Sequence, residues 1–334
     1  MKKVFRILGI IAGVVVLLIA GSVAYIKTAL PNVGPAPELT IQADSAQIAR
    51  GKYLANHVAV CIDCHSERDW KIVGGPLVAG TEGKGGEPFT RDMGFPGSYY
   101  AKNLTPAHLS GWSDGEIYRA ITTGVSKDGN ALFPVMPYRN YGQMDSNDIK
   151  AIIAYVRTLK PIENPAIPAS QSDFPMNLII NTMPTKSEGS KRPEPADSVA
   201  YGKYMLTFAG CGECHTPVDE KGQPLPGMTL AGGRTFAMPV GTVRSANLTA
   251  DAETGIGRWT KEAFIARFKA AEKDDFTHPA TLEHAEFNTL MPWRMYAGMS
   301  EQDLGAIFTY LKTVTPVKNK VVLFTPRGKE IAVR

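Results

Sequence analysis

All four cysteines of the sequence fall in one pentapeptide written twice, Cys61-Ile62-Asp63-Cys64-His65 and Cys211-Gly212-Glu213-Cys214-His215. Two thiols three residues apart lie one helical turn from each other, the spacing needed to add across the two vinyl groups of one porphyrin. The His that follows is then carried under the iron, where its imidazole is a proximal ligand. No cysteine is left over for a disulfide. Two other chemistries use Cys-x-x-Cys. A redox dithiol goes with a βαβ pattern, which neither segment has. A shared structural zinc draws its ligand pairs from within a few tens of residues, whereas these pairs are separated by most of two domains and each has its own His. The pattern points to two covalently bound haem c groups.

A thioether is a soft sixth ligand that favours ferrous iron and raises its potential. Met136 and Met291 each sit in a loop and are followed by Pro and an aromatic ring, Met136-Pro137-Tyr138 and Met291-Pro292-Trp293. Proline stiffens the backbone beside the sulfur, so these two are the candidate distal ligands. Met144 and Met299 compete, but they stand just ahead of helix starts, where a hydrophobic staple uses them. His57 reads as lying on a helix surface or against the linker, and His108 as solvated in a polar loop. His278 and His284 fall in an insertion, Asp274 to Glu286, that the first half lacks; surface roles suit them best. Asn103-Leu104-Thr105 and Asn247-Leu248-Thr249 match the glycosylation acceptor pattern. Their recurrence ahead of Trp112 and Trp259 leaves two readings open: amide and indole N–H groups aimed at haem propionates, or two structural turns.

These residues need elements to hold them. At 334 residues the chain suits two ordinary domains plus extras. With 32 Gly and 24 Pro, long ordered loops between few helices are expected. The formal charge is +4, which four haem propionates would bring to about neutral, and no basic stripe with interleaved aromatics suggests nucleic acid. Met1-Lys2-Lys3 and Arg6 precede an uncharged run from Ile7 to Ile26, closed by Lys27. About 20 apolar residues match the hydrocarbon thickness of a bilayer and exceed the roughly 7–15 of a signal-peptide core. Residues 1–29 therefore read as an uncleaved transmembrane anchor, with the small residues at 20–24 as the alternative cleavage point. Cations on the N-terminal side hold that end in the cytoplasm. The body is then periplasmic, on a single pass through the cytoplasmic (inner) membrane.

Residues 30–44 read as a stiff tether, 45–161 and 196–318 as two copies of one domain, 162–195 as a linker and 319–334 as a tail. The copies repeat Gly51-Lys52-Tyr53-Leu54 as Gly202-Lys203-Tyr204-Met205, Trp112 as Trp259, and the helix 149–160 as 304–315, each copy followed by Pro161 or Pro316. The spacing predicts amphipathic closing helices on Ile149, Ile152, Ile153, Val156 and on Leu304, Ile307, Phe308, Leu311. Ser300-Glu301-Gln302-Asp303 has the shape of a capping box, with Asp145 standing where Ser300 stands. The apolar island from Phe174 to Met183 in the linker is expected to pack back on a domain.

Assembled, these residues resemble a tandem class I cytochrome c, a mostly α fold of few helices and long loops around haem. More narrowly, the chain is similar to the cytochrome c subunits of bacterial membrane-bound alcohol, aldehyde and gluconate dehydrogenases. The likeness rests on the segment Ser245 to Trp259, on Trp112-Ser-Asp-Gly-Glu-Ile117 and on Leu132-Phe-Pro-Val-Met-Pro-Tyr138. It implies Cys61, Cys64, Cys211 and Cys214 as haem attachments, His65 and His215 as proximal and Met136 and Met291 as distal ligands. It further implies electron transfer from a dehydrogenase towards quinone, an oxidase or a soluble cytochrome. Those subunits usually carry three haem motifs, whereas this chain has two, and its anchor is N-terminal. The expected function is an electron carrier and not an enzyme. The alternative, a di-haem peroxidase or sulfur-compound oxidase, needs an iron with a labile distal position. A redox sensor would need a signalling domain, which the sequence lacks.

Overall fold

The computed structural model describes residues 1–272 and 287–328, so the insertion holding His278 and His284 lies outside the described residues. The fold is mostly helical with two small sheets. It begins with a 28-residue helix, Lys2–Ala29, of which no residue is buried. At 1.5 Å per residue it is about 42 Å long, enough to cross a bilayer.

The rest is built twice. In each half the entry helix (Ser45–Tyr53 or Ser198–Phe208) crosses the closing helix (Ser146–Val156 or Glu301–Leu311) at a glycine. A Cβ on Gly51 would lie 1.8 Å from the Ala151 carbonyl oxygen, and one on Gly202 would lie 1.9 Å from that of Ala306. Only glycine lets the two backbones meet. The closing helices bury the expected stripes: Ile149, Ile152, Ile153 and Val156 are at most 4% exposed, and Leu304, Ile307, Phe308 and Leu311 at most 7%. Each such side chain is worth roughly 1.5–3 kcal/mol. Met144 and Met299 are buried at the starts of these helices, as the staple reading requires.

Helix starts are capped by side-chain oxygens. Asp44, Asp145, Asp197 and Ser300 each accept a backbone N–H of the first turn. The expected capping box at Ser300 is only half made. The Ser300 hydroxyl accepts the Asp303 N–H, but the Asp303 carboxylate accepts the hydroxyls of Tyr53 and Tyr201. The full box is at Ser113 and Glu116, on the helix Asp114–Thr123.

Each half also carries a three-stranded antiparallel sheet, Pro88–Phe89, Gly97–Tyr100 and Gln171–Ser172 in the first, Thr235–Met238, Gly241–Arg244 and Phe324–Pro326 in the second. The third strand comes in both cases from chain beyond the closing helix, so that chain is part of the fold. The island at 174–183 departs from expectation. Its ends are tied to the first half by Asp173 with Arg91 and by Arg139 donating to the Met183 carbonyl. Its apolar residues enter no core: none of the helix Met176–Ile179 is buried, and the helix lies against the anchor.

The halves grip each other by an exchange of equivalent groups. The Tyr204 hydroxyl donates to Asp148 at 2.8 Å and accepts the Asp145 N–H at 3.2 Å. The Tyr53 hydroxyl in turn donates to Asp303 and accepts the Ser300 N–H at 3.0 Å. His57 is a further cross-link, which corrects its reading as lying on a helix surface or against the linker. Its Nδ1 lies 2.9 Å from the Met295 carbonyl oxygen, and its ring fills the space that a side chain at Gly298 would need.

Candidate functional site

The entry helix delivers each pentapeptide. In the second half a glycine in the left-handed region, Gly210 (φ 68°), turns the chain into the short helix Cys211–His215. The first half does the same with Val60 (φ 46°) before Cys61–Cys64. It also has one more residue between the entry tyrosine and the first cysteine, and a π-helical turn at Leu54–Val58 takes up the excess.

His65 and His215 are held identically. Nδ1 of His65 lies 2.7 Å from the Lys102 carbonyl oxygen and Nδ1 of His215 lies 2.8 Å from that of Ala246. A carbonyl only accepts, so Nδ1 carries the proton and Nε2 keeps its lone pair free. Burial pushes both imidazoles below the ordinary histidine range, which keeps them neutral and able to ligate. The four cysteines are free. Among the described residues, no group of three or more His, Cys, Asp or Glu side chains could hold a metal ion directly. This donor set fits a covalently attached haem: unpaired thiols one turn apart, and an imidazole fixed in the ligating tautomer by a backbone acceptor.

Met136 and Met291 are half-buried and packed on the core. Each begins a tight turn in which the residue two along donates its N–H to the Met carbonyl, Tyr138 at 2.7 Å and Trp293 at 2.8 Å. The short helices that follow, Tyr138–Tyr141 and Trp293–Ala297, latch the loops to the attachment segments. The Tyr141 hydroxyl donates to Ala59 and the Tyr296 hydroxyl to Ala209, the carbonyls two residues ahead of the first cysteine. Phe133 stacks on Tyr99 at 4.1 Å and steadies the first loop, whereas Thr289 accepts the Met291 N–H in the second.

Asn103 and Asn247 decide between their two readings. Each amide oxygen accepts the N–H and hydroxyl of the Thr two residues on, and each amide N–H donates to the chain after the closing helix, at Ile162 or Val317. Both are 5% exposed. They are structural turns that close each half. His108 is exposed beside Trp112, as expected.

Sequence reasoning missed the charge around the first pentapeptide. Asp63 is 5% exposed and pairs with Arg68 at 3.1 Å. Arg68 lies over the Trp70 ring at 4.0 Å, and the Trp70 indole N–H donates to Glu87 at 2.6 Å. Burial raises the carboxyls of Asp63 and Glu87 above their ordinary values, against the pull of Arg68. The tyrosine–aspartate exchange was missed too. Its one signal was the repeat itself: Tyr53 recurs as Tyr204, and an Asp stands three residues into both closing helices.

No family model matches the sequence. The chain is 28% identical over 325 residues to the fructose dehydrogenase cytochrome subunit of Gluconobacter japonicus, covering 93% of this chain and 60% of that protein. It is 29% identical over 305 residues to the cytochrome c subunit of a quinone alcohol dehydrogenase from Gluconacetobacter polyoxogenes, covering 85% and 59%. It is also 27% identical over 235 residues to a di-haem cytochrome c-type protein of Cereibacter sphaeroides, covering 66% and 74%. The chain thus spans about three fifths of the length of the dehydrogenase subunits it matches. These relatives imply covalently bound haem c. The chain is a homologue of dehydrogenase cytochrome c subunits.

Proposed function

We propose that the protein is a membrane-anchored di-haem cytochrome that carries electrons from a dehydrogenase towards a respiratory acceptor outside the cytoplasmic membrane. Residues 45–161 and 196–318 would form its two cytochrome c domains. Cys61 and Cys64 would hold one haem and Cys211 and Cys214 the other. A bound haem supplies one-electron redox chemistry at its iron. The protein's own part is to hold the ligands. His65 and His215 present Nε2 because Lys102 and Ala246 hold the Nδ1 protons. Met136 and Met291 present thioethers from turns stiffened by Pro137 and Pro292. A haem held by both a histidine and a methionine would leave no open site for a substrate, and its chemistry would be confined to electron transfer.

The observation that carries this reading is the twinned arrangement. In both halves a histidine held in the ligating tautomer follows an attachment pair, and a half-buried methionine loop is latched to the same segment by a tyrosine. Two copies of one closed site suit relay better than catalysis.

The test is a count and a spectrum. Pyridine haemochrome analysis of purified protein should give two covalent haems per chain, both low-spin, with a weak far-red methionine-to-iron band. Met136→Ala and Met291→Ala should each lower one potential and open one iron to cyanide. A native protein whose iron takes up cyanide or peroxide quickly would instead support the peroxidase or oxidase reading.

A further inference from the structure

The island Phe174 to Met183 is uncharged and lies beside the anchor in an unusual way. Of the anchor's residues, only Val23 and Ile26 are half-covered, and Leu30 just beyond its end is covered likewise. A spacing of three puts Val23 and Ile26 on one helical face, and Leu30 follows in extended backbone directly after the helix. The helix Met176–Ile179 and the turn Ile180–Thr182 pack against the anchor. Met176, Leu178 and Ile180 are half-buried, while Phe174 is 79% and Ile179 41% exposed.

The level of this contact matters. Tyr25, 61% exposed, and Lys27 close the anchor's apolar run. Aromatic and cationic side chains of this kind mark the boundary between acyl chains and headgroups. A segment packed on Val23 to Leu30 sits at that same depth. An uncharged segment with exposed Phe and Ile at that depth has the make-up of an interfacial element.

We propose that Phe174–Met183 is a second membrane contact, which seats Phe174 and Ile179 at the acyl boundary beside the anchor. Its occupant is the lipid surface, because Phe174 and Ile179 are exposed on a segment packed against an apolar helix of bilayer length that has no buried residue. The Asp173–Arg91 pair, at 2.6 Å, and the Arg139 bond to Met183 tie the island to the first half. That half is thereby held at a set height and tilt over the bilayer, and does not swing on the tether. The inference rests on reading Lys2–Ala29 as an anchor.

Spin labelling of the full-length, haem-loaded protein in phosphatidylcholine/phosphatidylglycerol nanodiscs tests it, since haem attachment consumes the native thiols. Nitroxides are placed at Phe174→Cys and Ile179→Cys, with Val16→Cys in the anchor and Val199→Cys on the body as references. Collision with oxygen is compared with collision with a water-soluble nickel chelate. The expected oxygen-to-nickel ratio at 174 and 179 is several-fold above that at 199 and below that at 16. A ratio equal to that at 199, with 16 still lipidic, overturns the proposal and leaves the anchor standing. Shielding of 174 and 179 from both reagents means a protein covers the island, and also overturns it. An aqueous ratio at 16 defeats the anchor reading itself.

Discussion

The two halves share a plan but surround their pentapeptides differently. In the first, Ile62 and Asp63 are 1% and 5% exposed, and the segment faces a cleft shared with Thr289 and Pro292 to Met295 of the second half. In the second, Glu213 and Cys214 are exposed, and Val218 stands where Arg68 stands in the first. The two halves repeat the histidine, its carbonyl acceptor and the methionine turn, and differ in the residues around them.

The comparison breaks most sharply at Arg68, whose side chain is 6% exposed against 7% for Asp63. Removing one member of a buried pair leaves the other uncompensated, so Arg68→Ala should cost about 3–5 kcal/mol. Val218→Ala, at the matching place, should cost far less. Urea midpoints of the two variants measure the gap, and equal losses would mean that the buried charge is not what distinguishes the first half.

The tyrosine exchange gives a smaller and more discriminating effect. Asp148 accepts from Arg50 and Arg192 as well as Tyr204, whereas Asp303 accepts from Tyr53 and Tyr201. A hydrogen bond to a charged group is worth about 1.5–3 kcal/mol. Tyr53→Phe should fall at the upper end and Tyr204→Phe at the lower, because the guanidiniums still neutralise Asp148. Thermal unfolding of the two single variants reads the order directly.

The same contacts set an alkaline limit. Burial, with Asp303 nearby, pushes the Tyr201 hydroxyl up to about 12, and burial raises Tyr53 and Tyr204 as well. An unfolded tyrosine loses its proton near pH 10. Between about pH 10 and 12 the unfolded chain therefore binds fewer protons than the fold, and stability falls as pH rises. Below about pH 10 this contribution is whole. Urea titrations at stepped pH should show the decline, and it should be shallower in Tyr201→Phe.

The smallest effect is a gain. Val60 holds a left-handed conformation that glycine holds in the other copy, and for an L-residue this costs roughly 1–2 kcal/mol. Val60→Gly should therefore stabilise the protein by about 1 kcal/mol, and Gly210→Val should destabilise it, both visible in the denaturant midpoint.

Much of this was readable in residue order. The closing helices, their buried stripes and the staple methionines follow from short-range periodicity, and the repeated framework from residues matched between the two halves. The pentapeptide is itself a one-turn device. The reading left open and the one that changed both depend on distant partners. Asn103 was legible as a repeated residue, but its donor goes to Ile162. His57 looked like a surface residue until Met295 met it.

Thiol spacing, the trailing imidazole and the apolar stripes depend on residues within a turn or two of one another, and order alone specifies them. Which pentapeptide is covered, which carboxylate each tyrosine reaches and where the island settles depend on chain segments brought together from far apart. Tyr53 and Asp303 are 250 residues apart in the chain. The repeat marks both residues but does not pair them, because only the packing of two complete halves creates their contact.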